Sequence, residues 1–227
     1  MTHRFYAKTE KKQNQLVLKV GLGALIVIIL SFVLAWYLGV YIIGFLVFWI
    51  VLSIIAPFFD TPSLKKSGNI IYHSPLFLSE KPKNGVVVIH GGTLFDYIFV
   101  LENQMNGSER TKLILQQYLE GLLNFINYCE SENVELLKIR GTSYIINENT
   151  ATRIGFKIEK TDAVQKLILA FNYFNLLVSA SVAKNKLTFP NLNETKTFEA
   201  TLNTLSARKA YISNLNDKLK QGITEKI

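Results

Sequence analysis

The chain holds one cysteine, Cys129, in 227 residues. An intrachain disulfide is therefore excluded, which suits a reducing cytoplasm. The three histidines stand at scattered positions, so no zinc-ligand spacing exists and no metal site is expected. The formal charge of +8 invites a nucleic-acid reading. A basic stripe with interleaved aromatics is missing, however, and no nucleic-acid partner is expected. Gly-x-Ser-x-Gly is also missing, which sets aside a hydrolase built on that nucleophile turn. There is no internal repeat and no low-complexity segment. Proline is scarce outside one stretch, where four of the five fall, at positions 57, 62, 75 and 82.

The most informative absence is charge. Forty consecutive residues, Val20 to Phe59, carry none, between Lys19 and Asp60. A spanning helix needs about 20 apolar residues. One helix of the whole run would be roughly 60 Å long, about twice the hydrocarbon core. The run reads as a transmembrane hairpin, Val20–Leu38 and Val40–Phe58, turning at Gly39. Trp36, Tyr37 and Tyr41 cluster at the turn, as aromatics do at a membrane–water interface. Pro57 is expected to end the second span. Twelve Leu, Ile, Val or Phe residues fall in the first span. Each is worth roughly −0.3 to −0.6 kcal/mol near the bilayer centre, ample for insertion. A cleaved signal peptide would have an apolar region of only about 7–15 residues, and here a second span follows at once.

Charge returns on both flanks. Residues 1–19 hold Arg4, Lys8, Lys11, Lys12 and Lys19 against Glu10, and Lys65, Lys66, Lys81 and Lys83 follow the spans. Basic flanks stay in the cytoplasm. The expectation is a multi-pass protein of the cell (inner or plasma) membrane with both termini cytoplasmic. The lipid bilayer is its first partner, and anionic headgroups add about 1 kcal/mol per basic residue near the surface.

Four segments follow: a basic tail (1–19), the hairpin (20–59), a Pro-containing juxtamembrane connector (60–84) with a short strand at Asn69–His73, and a cytoplasmic domain (85–227). In the domain, Val86–Ile89 reads as a buried strand ended by His90-Gly91-Gly92. Helices are expected over 93–104 and 109–131, then a strand Val134–Ile139 ended by Arg140-Gly141. Thr142–Arg153 fits a short helix and Phe156–Glu159 a strand. A long helix starts at Asp162, a further strand sits at Lys186–Phe189, and a last amphipathic helix spans Thr195–Lys220. Alternating strands and helices predict one layered α/β domain. The fold class is thus a membrane-anchored α/β protein with an N-terminal two-helix hairpin and a long C-terminal helix.

Two of these helices carry alternatives. Residues 167–183 have no charge between Lys166 and Lys184, which fits a buried crossover helix, a helix lying on the bilayer, or a third span at the lower limit of length. The last helix spaces Phe198, Leu202, Leu205, Ile212 and Leu219 as an imperfect heptad. It packs on its own domain or meets a protein partner through 195–220, and the oligomeric state stays open.

Polar residues gather after three of the strands: His90-Gly91-Gly92-Thr93 with Asp96, then Arg140-Gly141-Thr142-Ser143, then Thr161-Asp162. Parallel strands would bring these ends to one edge, where open α/β sheets bind ligands. The candidate catalytic residues are His90 as general base, Asp96 orienting it, Arg140 as a clamp for phosphate or carboxylate, and Ser143. Gly91, Gly92, Gly141 and Thr142 form a candidate anion- or phosphate-binding loop, since glycines let backbone N–H groups approach an anion. The bland alternative is helix capping: Thr93-x-x-Asp96 has the form of a capping box, and Thr142, Ser143 and Asp162 are ordinary N-cap residues. No residue pattern names a cofactor.

His90-Gly-Gly is similar to the oxyanion loop of lipase-like hydrolases, without their nucleophile motif. The stretch Gly107 to Phe156 resembles the C-terminal half of GNAT-type N-acyltransferases: a long helix, a strand, then Asn149-x-Ala151-x-Arg-x-Gly155-Phe156 entering another strand. The resemblance implies acyl transfer. It does not extend to the family's acyl-CoA loop, Gln/Arg-x-x-Gly-x-Gly/Ala, in whose place Asn106-Gly-Ser-Glu-Arg-Thr-Lys112 stands, so no acyl-CoA residue is assigned. Two functions are open: a membrane-tethered binding or assembly module, and a membrane-associated transferase, acyltransferase-like in one version, acting on an anionic or lipid-linked substrate.

Overall fold

The computed structural model describes residues 2–132, 138–143 and 148–224. Its first two helices, α1 (Glu10–Leu38) and α2 (Ile42–Lys66), are each long and apolar enough to cross a membrane. Both expose apolar side chains all round, Leu22, Leu30 and Leu34 on α1 and Ile42, Phe45 and Leu52 on α2 among them, which is the pattern of a helix made for lipid. They turn back on each other at Gly39, whose φ of 69° lies in the left-handed region and whose N–H closes α1 onto Ala35 and Trp36. Small residues line their contact: Ala24, Ser31 and Ala35 on α1 and Gly44 on α2 are buried. A Cβ on Gly44 would stand 2.8 Å from the Phe32 ring. Close approach at small residues is how spanning helices gain packing energy.

Pro57 does not end the second helix, and α2 carries Pro57 and Pro62 inside it before stopping at Lys66. A proline removes one ladder bond, and apolar helices tolerate this where neighbouring groups take up the freed carbonyl.

The start of α1 and the end of α2 lie together, with Lys66 Nζ 2.9 Å from Glu10 Oε1. The residues before α1 fold back onto the domain. His3 and Phe5 are buried. Arg4 donates to the carbonyls that close helix α3 (Leu94–Val100): Ile98 and Leu101, both at 2.7 Å, and Phe99 at 3.0 Å. The N-terminal segment and the α/β domain therefore sit at the same end of the hairpin.

The domain is a six-stranded mixed sheet. Its strands are β1 (Ile70–Ser74), β2 (Phe77–Glu80), β3 (Val86–Gly91), β4 (Lys138–Ser143), β5 (Lys157–Glu159) and β6 (Lys196–Thr201), in the spatial order β1-β2-β3-β4-β6-β5. Only β3 and β4 pair in parallel. Their crossover contains α4 (Gly107–Ser131), opened by a capping box of Asn106 and Glu109. One face of α4 covers the sheet, packing Leu113, Ile114, Leu122, Phe125 and Ile126 with Phe77, Val87, Ile89 and Ile139.

Several expectations change. The stretch 60–84 holds more than the short strand expected at Asn69–His73, which is β1, because β2 lies in it as well. Pro75 and Pro82 sit in the turns on either side of β2, where a fixed φ helps. The strand expected over Val134–Ile139 is described only from Lys138 and runs on to Ser143, while 134–137 lie outside the described residues. Thr142 and Ser143 are accordingly strand residues and not helix caps, and α5 is described over Glu148–Arg153, with 144–147 outside the described residues. Lys186–Phe189 forms no strand. The last strand is instead β6, at the place where the C-terminal helix was expected to begin. Thr197, Phe198 and Ala200 are buried there between β4 and β5, and cross-strand pairing overrides the helical spacing of the apolar residues. Helix resumes as α8 (Leu202–Ala207), capped by Thr201, and α9 (Lys209–Thr224), which lies on α4. The long helix from Asp162 is two helices, α6 (Ala163–Phe171) and α7 (Tyr173–Lys184), bent by 73°. Asp162 caps the first, accepting from the Gln165 N–H at 2.7 Å.

Two stability predictions follow from this packing. A Cβ on Gly121 would fall inside contact distance of the Phe77 Cβ, so Gly121→Ala should destabilise the domain by about 1–3 kcal/mol, read as a lowered melting temperature of the full chain in detergent. His73 is buried with Nε2 2.9 Å from Ser79 Oγ, and burial pushes its imidazole from 6.5 down to about 4. Between those values the unfolded chain takes up a proton that the folded chain does not, so stability falls as pH falls through that window. Melting temperatures from pH 7 to pH 4.5 should decline, and His73→Asn should flatten the slope.

Candidate functional site

Strands β3 and β4 run side by side only as far as Ile89 and Gly141. Beyond that point β3 stays with β2, placing His90 opposite Leu78 and Gly91 opposite Phe77. β4 stays with β6, placing Thr142 opposite Thr197 and Ser143 opposite Lys196. The two strand ends part, and a cavity of about 620 Å3 occupies the gap. Four consecutive β3 residues, Val88 to Gly91, line it. Successive strand residues point to opposite faces, so the cavity reaches both sides of the sheet at the place where the strands separate.

Seven of the eight residues proposed from the sequence line this one cavity: His90, Gly91, Gly92, Arg140, Gly141, Thr142 and Ser143. Tyr97, Tyr118, Thr93 and Thr197 add hydroxyl groups. The Tyr97 and Tyr118 hydroxyls are 3.1 Å apart, and burial pushes Tyr118 up to about 12, which keeps its O–H as a donor at neutral pH. The Tyr118 hydroxyl fills the space where a side chain at residue 91 would begin. Gly91 is thus required for close approach, whether or not an anion ever binds.

Asp96 is elsewhere. As the third residue of α3 it turns back to cap the helix, accepting from the Thr93 N–H at 2.7 Å and the Thr93 hydroxyl at 2.9 Å. Its other oxygen meets the Tyr72 hydroxyl at 2.6 Å and His3 Nε2 at 3.1 Å. The carboxylate is fully buried. Burial and the Asp96 charge push the Tyr72 hydroxyl far up, so it remains a donor to that carboxylate. Asp96 holds the N-terminal segment, β1 and α3 together, and it does not orient His90.

The carboxylate beside His90 belongs to Glu80, with His90 Nε2 2.8 Å from Glu80 Oε1. Glu80 is two residues along β2 from Leu78, the residue opposite His90, which makes the two diagonal neighbours on one face. The hydrogen bond with His90 holds the Glu80 carboxyl below its usual range. Nε2–H donating to the carboxylate leaves Nδ1 with the lone pair, the arrangement a general base requires. Both side chains are partly exposed and both line the cavity. Sequence reading missed Glu80 because it fell in the supposed connector, and the four residues Phe77-Leu-Ser-Glu80 show no period-two alternation to mark a strand.

Arg140 is engaged by two carboxylates, Asp162 at 3.3 Å and Glu199 at 3.4 Å. Glu199 also takes Lys138 at 2.6 Å. The two cations and two anions cancel, so this corner selects poorly for an anion. Among the described residues no group of three or more His, Cys, Asp or Glu side chains is placed to hold a metal ion.

Removing the Asp96 carboxylate should leave buried donors unsatisfied. Asp96→Ala is expected to cost about 3 kcal/mol or more and to free the first residues, so that trypsin cuts after Arg4 and Lys8 much faster than in the unsubstituted chain. Limited proteolysis followed by mass spectrometry reads this directly.

No protein-family model matches the chain, and neither a curated protein nor a solved structure matches it.

Proposed function

We propose that this chain is an integral membrane enzyme of transferase type, in which the cavity at the parted ends of β3 and β4 takes a small molecule and His90, oriented by Glu80, acts on it as general base. The observation that carries the reading is the convergence of the His90–Glu80 pair with Gly91, Gly92, Thr142 and Ser143 on one cavity. A volume of about 620 Å3 is of the size that holds substrates and cofactors. The hairpin of α1 and α2 crosses the cell membrane and both termini lie on the cytoplasmic side. The basic flanks support this orientation, and so does the packing of residues 3–5 against α3.

Acyl transfer is the version best supported. The stretch that resembles N-acyltransferases has the expected order of elements: helix α4, strand β4, then Asn149-x-Ala151 in α5 and Gly155-Phe156 leading into β5. His90 removes a proton from an acceptor hydroxyl or amine as that group attacks the carbonyl carbon of the acyl donor. The bond to the leaving group breaks, and the leaving group departs with its electron pair and accepts the proton. Arg140, already neutralised by carboxylates, favours a lipid-linked substrate over a free anion.

The alternative is a binding or assembly module without catalysis, capturing a protein through 195–220. That segment is strand β6 followed by α8 and α9, and it buries Phe198, Leu205 and Ile212 in the domain's own core. Its interior-facing side is thereby occupied.

The test is acyl transfer from a long-chain acyl thioester to membrane-extract acceptors by the full chain in vesicles. His90→Gln should lower the rate by about 10²- to 10⁴-fold, with Glu80→Gln losing less. An unchanged rate in His90→Gln would overturn the assignment of the base. No transfer by the unsubstituted chain to any acceptor would favour the non-catalytic module.

A further inference from the structure

The cavity has a wall that faces away from the sheet. Helix α6 contributes Gln165, Ile168 and Leu169 to it, Asn172 follows at the bend, and α2 contributes Pro57, Thr61 and Leu64. The outer side of α6 is apolar too. Val164, Leu167 and Phe171 recur at helical spacing on one stripe and are 68%, 58% and 57% exposed, and Ile168 stands at its border with the cavity. Such a stripe on a water-facing helix is costly, whereas at a membrane it is the expected anchor.

The position of the bend between α6 and α7 fixes where that stripe lies. The Trp49 ring centroid is 6.2 Å from that of Phe171 and 5.9 Å from that of Phe174. Asn175 Nδ2 donates to the Ser53 carbonyl at 3.1 Å. Trp49 stands near the middle of the second half of the uncharged run, about 16 Å along α2 from Asp60 at 1.5 Å per residue, or roughly half of a 30 Å hydrocarbon core. The bend therefore reaches far into the slab that α1 and α2 define. Its amide side chains bond within the protein, as hydrocarbon demands: Asn172 Nδ2 donates to the Ile168 carbonyl at 2.9 Å, and Ser179 Oγ meets Asn175 Oδ1 at 3.2 Å.

We propose that α6 and α7 form a bent re-entrant loop in the cytoplasmic leaflet, and that the cavity draws a single-chain amphiphile sideways from that leaflet between α2 and α6. The fatty chain lies against Leu169, Leu176 and Leu119, and the polar end reaches His90 and Thr142. This rests on the reading of the cavity as a small-molecule site and names the substrate class for it. Three features point to this occupant. The α2 residues of the wall, Pro57, Thr61 and Leu64, bracket Asp60, so the wall stands at headgroup level. Leucine, isoleucine and phenylalanine contribute 13 of the 34 lining residues, apolar surface enough for a fatty chain. The charges near Arg140 cancel, so the chain and the hydrogen-bonding head carry recognition.

The experiment uses the full chain in phosphatidylcholine vesicles with two diazirine probes: a palmitic acid dissolved in the bilayer and a butyric acid in the water. On irradiation, the palmitic probe should label peptides containing Leu169–Leu176 and His90, at least tenfold above the butyric probe. Leu169→Trp, which fills the cavity, should cut that labelling at least tenfold. Leu167→Trp, on the outer stripe, should leave it within twofold while both variants keep the melting temperature of the parent within a few degrees. In a Cys129→Ala background, Phe171→Cys should resist a membrane-impermeant maleimide under conditions in which Ser67→Cys reacts fully. Equal labelling by both probes would overturn access from the membrane and leave the small-molecule site standing. Phe171→Cys reacting as fast as Ser67→Cys would overturn the re-entrant loop. No labelling of cavity peptides by either probe would overturn the site itself.

Discussion

Past Ile89 and Gly141 two neighbouring strands serve different partners, and the gap that results organises the rest of the domain. β3 is held by an antiparallel neighbour on one side and β4 by another on the opposite side. Neighbouring strands in a sheet are rotated against each other, and the rotation accumulates across it. A parallel pair tied on its two outer edges separates most easily at an end. The separation stays narrow because α4 lies close beneath it, with Tyr118 under Gly91 and Gly121 against Phe77. A side chain larger than hydrogen at either glycine would push the helix away. The cavity is therefore a consequence of strand pairing, and the small residues around it are what let the layers close over the rest.

The apolar hairpin imposes a second constraint on that domain. Its two helices are long and apolar enough to cross a membrane, and β1 follows α2 after only a short turn, so the sheet has no slack to move far from the end of the hairpin. The buried Asp96 tightens this further. A buried carboxylate left without donors is strongly unfavourable, and Asp96 gathers donors from α3, from β1 and from His3 ahead of α1. Its neighbours are rings: Phe5, Phe95 and Phe99 pack within 5.3 Å of one another by centroid. One polar knot inside an aromatic cluster thus joins both ends of the hairpin to the same helix.

Legibility in the sequence followed the range of the interactions involved. The uncharged run was plain because lipid asks only for length and the absence of charge, both of which are local. β3, α4 and β5 were legible because their apolar patterns carry their own boundaries. β1 was legible as the short strand expected over Asn69–His73, whereas β2 was hidden between Pro75 and Pro82, which read as breakers when they only bound the strand. β6 was read as helix because Phe198, Leu202 and Leu205 have helical spacing, yet Phe198 belongs to a strand and the two leucines to the next helix. Of the candidate site, the glycines and polar residues after β3 and β4 do converge, because parallel pairing places strand ends together. The partner of His90 was not legible. It depends on the register between β2 and β3, a long-range choice that no residue near His90 encodes, and Asp96 was the nearest carboxylate in sequence but not in space.

Charge around the cavity separates residues that hold structure from residues free to react. Arg140 shares two carboxylates, one of which is the N-cap of α6, so its guanidinium ties β4 to β6 and to the start of the helix that walls the cavity. Moving it toward a bound anion would abandon both contacts, a cost that a single phosphate contact offsets at best. His90 and Glu80 are placed differently. They occupy a sheet position that no helix cap depends on, both remain partly open to the cavity, and a carboxylate on one ring nitrogen sets the other as acceptor. A proton can come and go there without unpinning any element of the fold, which is the condition for a general base, and one that Arg140 and Asp96 do not meet.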